Sequence, residues 1–118
     1  MSQSWRIVYY ETLQGSTPVL DFIENLNVRV QAKMARTFDL LEQFGISLGA
    51  LHVKKLVGTR LWEMRIIGND NIRIFYIASK QKIFLLLHGF VKKRPKTDRK
   101  EIKTALERFQ EFNSRSKY

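Results

Sequence analysis

The sequence predicts a single α+β domain, residues 1–118, in which helices pack on one face of a twisted antiparallel sheet. Three observations support this class. Two helical patterns follow an initial strand, strand-like segments fill the middle of the chain, and a last helical pattern ends it. A hydrophobic fraction of 44% suffices for one packed core, and no linker rich in Gly, Ser or Pro divides the chain.

The N-terminal region predicts a strand followed by a short helix. Trp5, Ile7 and Tyr9 recur with a period of two, which is typical of a strand. Thr17 is a predicted N-cap and Pro18 the first helical residue, because a proline at that position removes no helical hydrogen bond.

Two longer helices are predicted from apolar side chains at helical spacing. The first ends at Gly45, since glycine is common just after a helix. The last begins at Asp98, an N-cap that would form a capping box with Glu101. The apolar stripe of the first helix contains Val30, Met34, Phe38, Leu41 and Phe44. That of the last contains Ile102, Ala105, Leu106, Phe109 and Phe112.

Between these helices the sequence predicts three or four consecutive strands joined by short turns. The segments, rich in branched and aromatic residues, are LHVKKLVG, LWEMRIIG, NIRIFYIAS and KIFLLLHGFV. Simple alternation in the last segment places Leu86, His88 and Phe90 on one face. We therefore predict the order β-α-α-β-β-β-α.

Positive charge is the most informative total. The chain has 21 Lys and Arg residues against 11 Asp and Glu residues, a net charge of +10 and a pI of about 10.2. A domain this basic favours a polyanionic partner such as nucleic acid. The cations that neighbouring strands could bring together are Lys54, Lys55, Arg60, Arg65, Arg73, Lys92, Lys93 and Arg94.

Several other kinds of site are excluded. Without cysteine there is no disulfide or thiolate site, and two histidines without clustered carboxylates favour a site that uses no metal or other cofactor. No apolar run approaches the roughly 20 residues of a membrane span. The N-terminus lacks the features of a secretory signal, so we expect a cytoplasmic protein with no membrane partner.

Four segments resemble the phage-derived branch of the RelE/HigB toxin superfamily: LWEMRI, IRIFYI, IFLLLHGFVKKRPKT and EIKTALERF. The resemblance implies a RelE-like fold and the toxin of a type II toxin–antitoxin system. Such a toxin is an mRNA endonuclease that acts on ribosome-bound mRNA and arrests translation. The implied partners are mRNA, the ribosome and a cognate antitoxin, a helix-turn-helix protein similar to HigA.

The resemblance also implies particular site residues. Arg65 and Arg73 match the family's active-site arginines, and Lys93, or its neighbour Lys92, matches the basic residue that closes the last strand. Glu63, two residues before Arg65, is interpreted as an ion-pair partner of that arginine.

The basic end of the last strand is also a predicted RNA-binding surface. Lys92 and Arg94 continue the basic end of the last strand. Relatives that depend on the ribosome often carry a C-terminal aromatic or histidine residue, but here only Tyr118 is available. Tyr76 or Phe90 would then have to supply an aromatic ring that stacks on a base.

Cleavage of RNA without a metal requires removal of the 2′-OH proton, stabilisation of the phosphorane and protonation of the leaving 5′-oxygen. Attack by a ribose 2′-OH leaves a 2′,3′-cyclic phosphate and a 5′-OH end, if protons are transferred and the phosphorane is stabilised. Arginine suits the phosphorane, which assigns Arg65 and Arg73 to it. Lys54 and Lys55 fall where ribosome-dependent members carry catalytic or RNA-binding lysines, and either could be the base. His88 is a candidate acid or base.

Two alternatives remain. A ParE-like poison of DNA gyrase would share the fold and act through a protein contact. A non-catalytic nucleic-acid-binding module would use the same basic surface with salt-sensitive affinity and no cleavage.

Overall fold

A computed structural model of the chain describes residues 5–45, 53–66, 68 and 71–115. The elements in these ranges are β1 (Arg6–Tyr9), α1 (Pro18–Glu24), α2 (Val28–Phe44), β2 (Val53–Lys55), β3 (Trp62–Ile66), β4 (Ile72–Ala78), β5 (Ile83–Val91) and α3 (Arg99–Arg115). The α+β class is confirmed. Four strands follow the helix pair, the larger of the two predicted numbers, and the three-residue β2 lies within the predicted segment LHVKKLVG, which the order β-α-α-β-β-β-α leaves out.

The strands form one sheet in the order β1-β5-β4-β3-β2. Strands β2 to β5 are a meander of antiparallel neighbours, as predicted. Strand β1 instead pairs in parallel with β5, which departs from the all-antiparallel prediction. Alternation of side chains identifies a strand but carries no information on its partner or direction.

Helices cover both faces of the sheet, so the prediction that they pack on one face is wrong. Ile74 belongs to a core cluster with side chains of α1 and α2, whereas the next residue, Phe75, belongs to a cluster with side chains of α3. Consecutive strand residues point to opposite faces. Strands buried on both faces read as continuous apolar runs, which do not say what covers each face.

A bulge in β5 decides which side chains face α3. Phe75 pairs with His88, but the next residue, Tyr76, pairs with Leu86, and one residue of β5 between them has no partner. His88 and Phe90 therefore lie on the α3 face, while Leu86 lies on the opposite one. The prediction of one shared face is wrong for Leu86, because simple alternation cannot include an inserted residue.

The end of α2 depends on a close contact between Gly45 and Trp5. Gly45 has a φ of +61°, and a Cβ atom there would lie 2.5 Å from Nε1 of Trp5. The Trp5 ring stacks on Phe84 of β5, with ring centroids 4.4 Å apart. The predicted helix stop at Gly45 is confirmed, and it also makes room for an aromatic contact with the sheet.

The start of α3 differs from its predicted capping box. The N–H of Glu101 donates to the main-chain carbonyl of Asp98 at 3.1 Å. The two carboxylates have other partners: Asp98 accepts from Arg94 at 3.2 Å, and Glu101 lies 2.8 Å from the ring of His88. The capping box is therefore wrong, since tertiary contacts with β5 and its following loop take both carboxylates.

Replacing Gly45 by alanine should lower the free energy of unfolding by about 1–3 kcal/mol through backbone strain alone. Displacement of Trp5 should add to that loss. Denaturation in urea measures it, and Gly58→Ala is a matched control, because Gly58 also has a positive φ, +83°, but open space around its Cβ position. Equal losses in the two variants would show that the contact with Trp5 contributes nothing.

Candidate functional site

Two arginines face each other on neighbouring strands. Arg65 on β3 pairs directly with Arg73 on β4. Both side chains lie on the face that α3 covers, since Phe75, two residues after Arg73, packs in the α3 cluster. Like charges directly opposite each other on antiparallel strands are destabilising. The arrangement therefore needs a compensating negative charge.

Glu63 supplies that charge from the same face. Its residue is only 4% exposed. Its Oε1 atom lies 4.0 Å from Nε of Arg65 and 3.8 Å from Nε of Arg73. The ion pair predicted between Glu63 and Arg65 is present, and Arg73 shares it. Both arginines thus share one buried carboxylate, which offsets one of their two positive charges.

The guanidinium groups keep donors that protein atoms do not use. The Nε atoms of Arg65 and Arg73 are buried without a hydrogen-bond partner, since Glu63 is too distant to accept from them. Nη1 of Arg73 donates to the carbonyl oxygen of Ile72 at 3.1 Å. The Arg65 side chain is 41% exposed and that of Arg73 15%. Both side chains are thus partly exposed, and an anion could contact their guanidinium ends but not the buried Nε atoms.

Two adjoining cavities lie beside Arg73 and Glu63. The larger, of about 740 Å³, has Arg73, Lys92, Lys93 and Arg94 in its wall. The smaller, of about 310 Å³, has Glu63 in its wall, and Lys92 and Pro95 line both cavities. The structure thus brings Arg73 together with the predicted lysines at the end of β5.

The two lysines of β2 point to opposite faces. Lys54 pairs with Glu63 across β2 and β3, so it shares the arginine face, and it lines the smaller cavity. Lys55 pairs with Trp62 on the other face, and its Nζ donates to the carbonyl oxygen of Thr59. Of the two predicted lysines, the structure places Lys54 with the arginines and Lys55 away from them.

The other candidates for RNA binding occupy different environments. Tyr76 is 3% exposed and packs edge-on against Phe84 beneath α1 and α2, so no base can stack on it in this structure. Arg94 is exposed and pairs with Asp98, whereas Lys93 is an exposed cation of the larger cavity. The basic residues at the end of β5 thus lie at the larger cavity, whereas Tyr76 lies in the core.

His88 fastens α3 to β5 instead of facing the cavities. Its Nε2 lies 2.8 Å from Oε1 of Glu101, and its Nδ1 lies 3.3 Å from Nη1 of Arg108. The same nitrogen of Arg108 donates to the carbonyl oxygen of Leu87 at 2.9 Å. Burial, and secondarily the charge of Arg108, lower the pKa of His88, against the opposing effect of Glu101. A neutral ring that accepts at Nδ1 and donates at Nε2 satisfies both partners.

Two features are missing from the part of the chain that the structure describes. It contains no group of three or more His, Asp or Glu side chains placed to hold a metal ion. Among the same residues, no helix has the length and apolar character needed to cross a membrane.

Sequence reasoning missed the residues that close the smaller cavity. Lys96, Thr97 and Ile102 belong to the loop after β5 and the first turn of α3, and all three line it. The Thr97 hydroxyl donates to Oε2 of Glu63 at 3.5 Å, so this loop folds over β3. The sequence held one signal, the cations around the start of α3, which oppose a helix dipole and favour an anion nearby.

These features define a class of protein: a small, strongly basic α+β domain with a carboxylate-braced arginine pair beside a lysine-lined cavity. Residues 21–110 match the model of the family described as Phage derived protein Gp49-like (DUF891), and the chain belongs to that family. It is a phage-derived family related in general to RelE/HigB-like toxins. Comparison with curated proteins finds no match.

The lowered pKa of His88 predicts a pH dependence of stability. The unfolded chain binds a proton on this histidine near pH 6.5, whereas the folded chain resists it. The stability that the neutral His88 ring contributes is therefore fully present above about pH 6.5. It is lost as the pH falls through the lower pKa that His88 has in the folded protein. Denaturation midpoints between about pH 5 and 7.5 should fall on the acid side in the wild type and change less in His88→Gln.

His52→Gln is the control for this measurement, because it removes the chain's other histidine. We expect His52→Gln to keep the acid-side loss. If His88→Gln keeps it as fully as the control does, the assignment of a neutral, buried His88 is wrong.

Proposed function

We propose that this protein is the toxin of a type II toxin–antitoxin system and cleaves mRNA bound to the ribosome without a metal ion. The observation that carries the proposal is the cross-strand pair of Arg65 and Arg73, whose Nε atoms lie 4.0 and 3.8 Å from Glu63, with Arg73 in the wall of a lysine-lined cavity. A braced arginine pair is suited to a phosphate, because guanidinium groups bind two oxygens in a fixed geometry.

The arginines would stabilise the phosphorane that forms when the 2′-OH attacks the neighbouring phosphate. Arginine keeps its positive charge, and the Arg73 side chain is held by the carbonyl oxygen of Ile72 and by Glu63, so little reorganisation of that side chain is needed during the reaction. Lys92 and Lys93, in the cavity wall with Arg73, would hold the flanking phosphates of the strand.

The reaction also moves two protons. The 2′-OH loses one, the 5′-oxygen gains one, and the products are a 2′,3′-cyclic phosphate and a 5′-OH end. Lys54 is the better-placed lysine for contact with the reacting oxygens, because it shares the face of Glu63 and the arginines. His88 has both ring nitrogens occupied by Glu101 and Arg108, which favours a role in holding α3.

The surface also fits an antitoxin. The net charge of +10 favours an acidic partner, and electrostatic attraction would speed its association. We propose a cognate helix-turn-helix antitoxin whose binding covers the arginine face and excludes mRNA.

The test uses substitutions that keep positive charge but remove the planar fork: Arg65→Lys and Arg73→Lys. We expect Arg73→Lys to slow cleavage of ribosome-bound mRNA by about 10²–10³-fold, the usual cost of losing one transition-state donor. The measurement is single-turnover cleavage by the purified protein on programmed ribosomes, with mapping of 5′-OH ends. Translation arrest on induction should weaken in parallel.

Arg29→Lys is the matched control, because Arg29 is an exposed arginine of α2, away from the α3 face. It should cleave at the wild-type rate. Cleavage by Arg73→Lys at the wild-type rate would remove the arginines from the reaction. Inhibition of supercoiling by purified gyrase, with no RNA cut, would replace the proposal by a gyrase poison.

A further inference from the structure

The smaller cavity has the features of a pocket for one planar group. It lies between the edge of the sheet at β2 and β3 on one side and the loop and first turn of α3 on the other, with a volume of about 310 Å³. Its apolar walls are Leu56, Pro95 and Ile102. Apolar walls with a few polar groups at defined places are typical of small-molecule sites.

Cations surround the same cavity. Lys54, Lys92 and Lys96 line it, and Lys92 also lines the larger cavity that contains Arg73. A strand whose phosphate lies at Arg73 could therefore place a neighbouring phosphate at these lysines while its base enters the cavity. Aromatic bases fit the apolar walls, and lysines fit the backbone.

Glu63 gives this pocket an unusual polar wall. The Glu63 side chain is only 5% exposed. Its contacts are long: Thr97 donates to Oε2 at 3.5 Å, and Nε of Arg65 and Nε of Arg73 lie 4.0 and 3.8 Å from Oε1. A carboxylate can accept about four hydrogen bonds. A buried carboxylate with so few close donors favours a ligand that brings its own N–H groups.

We propose that this cavity binds a guanine base of the substrate RNA and that Glu63 and Thr97 determine this specificity. The inference rests on the proposed function and adds the base that the site selects. Guanine presents two adjacent donors, N1–H and N2–H, which match the two oxygens of a carboxylate. Adenine and cytosine each place an acceptor beside their amino group, and uracil places acceptors on both sides of N3–H.

Two variants separate base recognition from the reaction at the arginines. Ile102→Trp fills the cavity from its apolar wall. Glu63→Gln keeps the shape but replaces one acceptor by a donor, which matches the donor and acceptor of adenine. Because Glu63 also braces the arginines, its variant should cleave more slowly overall. The decisive quantity is therefore the ratio of sites cut next to guanine and next to adenine, not the rate.

The experiment maps cleaved 5′ ends on ribosomes programmed with mRNA of mixed sequence. For the wild type we expect guanine next to the cut at a fixed position, preferred over adenine by about tenfold, the size of one good bidentate contact. In Glu63→Gln the preference should shift toward adenine by about the same factor. In Ile102→Trp it should disappear.

Leu106→Trp is the matched control. Leu106 is exposed on α3, one turn after Ile102, so this variant places the same new side chain outside the cavity. It should keep the guanine preference. Cleavage by the wild type without that preference, or a preference unchanged in Ile102→Trp and Glu63→Gln, would overturn the guanine pocket while leaving the endonuclease intact.

A binding measurement distinguishes failure of the pocket from failure of the reaction. Guanosine 3′-monophosphate should bind the intact protein about tenfold more tightly than adenosine 3′-monophosphate, and Ile102→Trp should abolish the difference. Selective nucleotide binding without any RNA cleavage would support the pocket and reject the endonuclease. Equal binding of both nucleotides would reject the pocket.

Discussion

The repulsion between Arg65 and Arg73 is the constraint on which the site depends. They are directly opposed on β3 and β4, where two positive charges destabilise strand pairing. Glu63 reduces this repulsion, because its Oε1 atom lies within 4.0 Å of the Nε atoms of both arginines. Burying that carboxylate is unfavourable by itself, and the two cations compensate it in turn. The positions of Glu63, Arg65 and Arg73 therefore depend on one another.

The rest of the α3 face is arranged around this group. The bulge in β5 turns His88 and Phe90 toward α3, and His88 then joins the strand to Glu101 and Arg108 of that helix. Because α3 is held there, its first turn and the preceding loop close the smaller cavity over Glu63. The contacts of His88 with α3, which lie outside the cavities, thus help to shape the proposed base pocket.

Part of the candidate site was predictable from sequence, because the expectation that neighbouring strands bring Arg73 and Lys92 together is met by the cavity that both residues line. The α+β class followed from periodicity. Helices on both faces did not follow, because doubly buried strands such as β4 show no alternation. Alternation also could not place His88, since the bulge is invisible in a continuous apolar run. Nor could it show that Glu63 is buried between two arginines, because that depends on which strand lies beside β3.

A double-mutant cycle on Glu63 and Arg73 tests whether the buried carboxylate stabilises the arginine pair. The free energy of unfolding would be measured for the wild type, Glu63→Gln, Arg73→Gln and the double variant. If Glu63 braces Arg73, removing either partner should destabilise the protein, and the double variant should lose less than the sum, with a coupling energy of about 1–3 kcal/mol. Additivity within about 0.5 kcal/mol would show that the two side chains are energetically independent and that Glu63 does not stabilise Arg73.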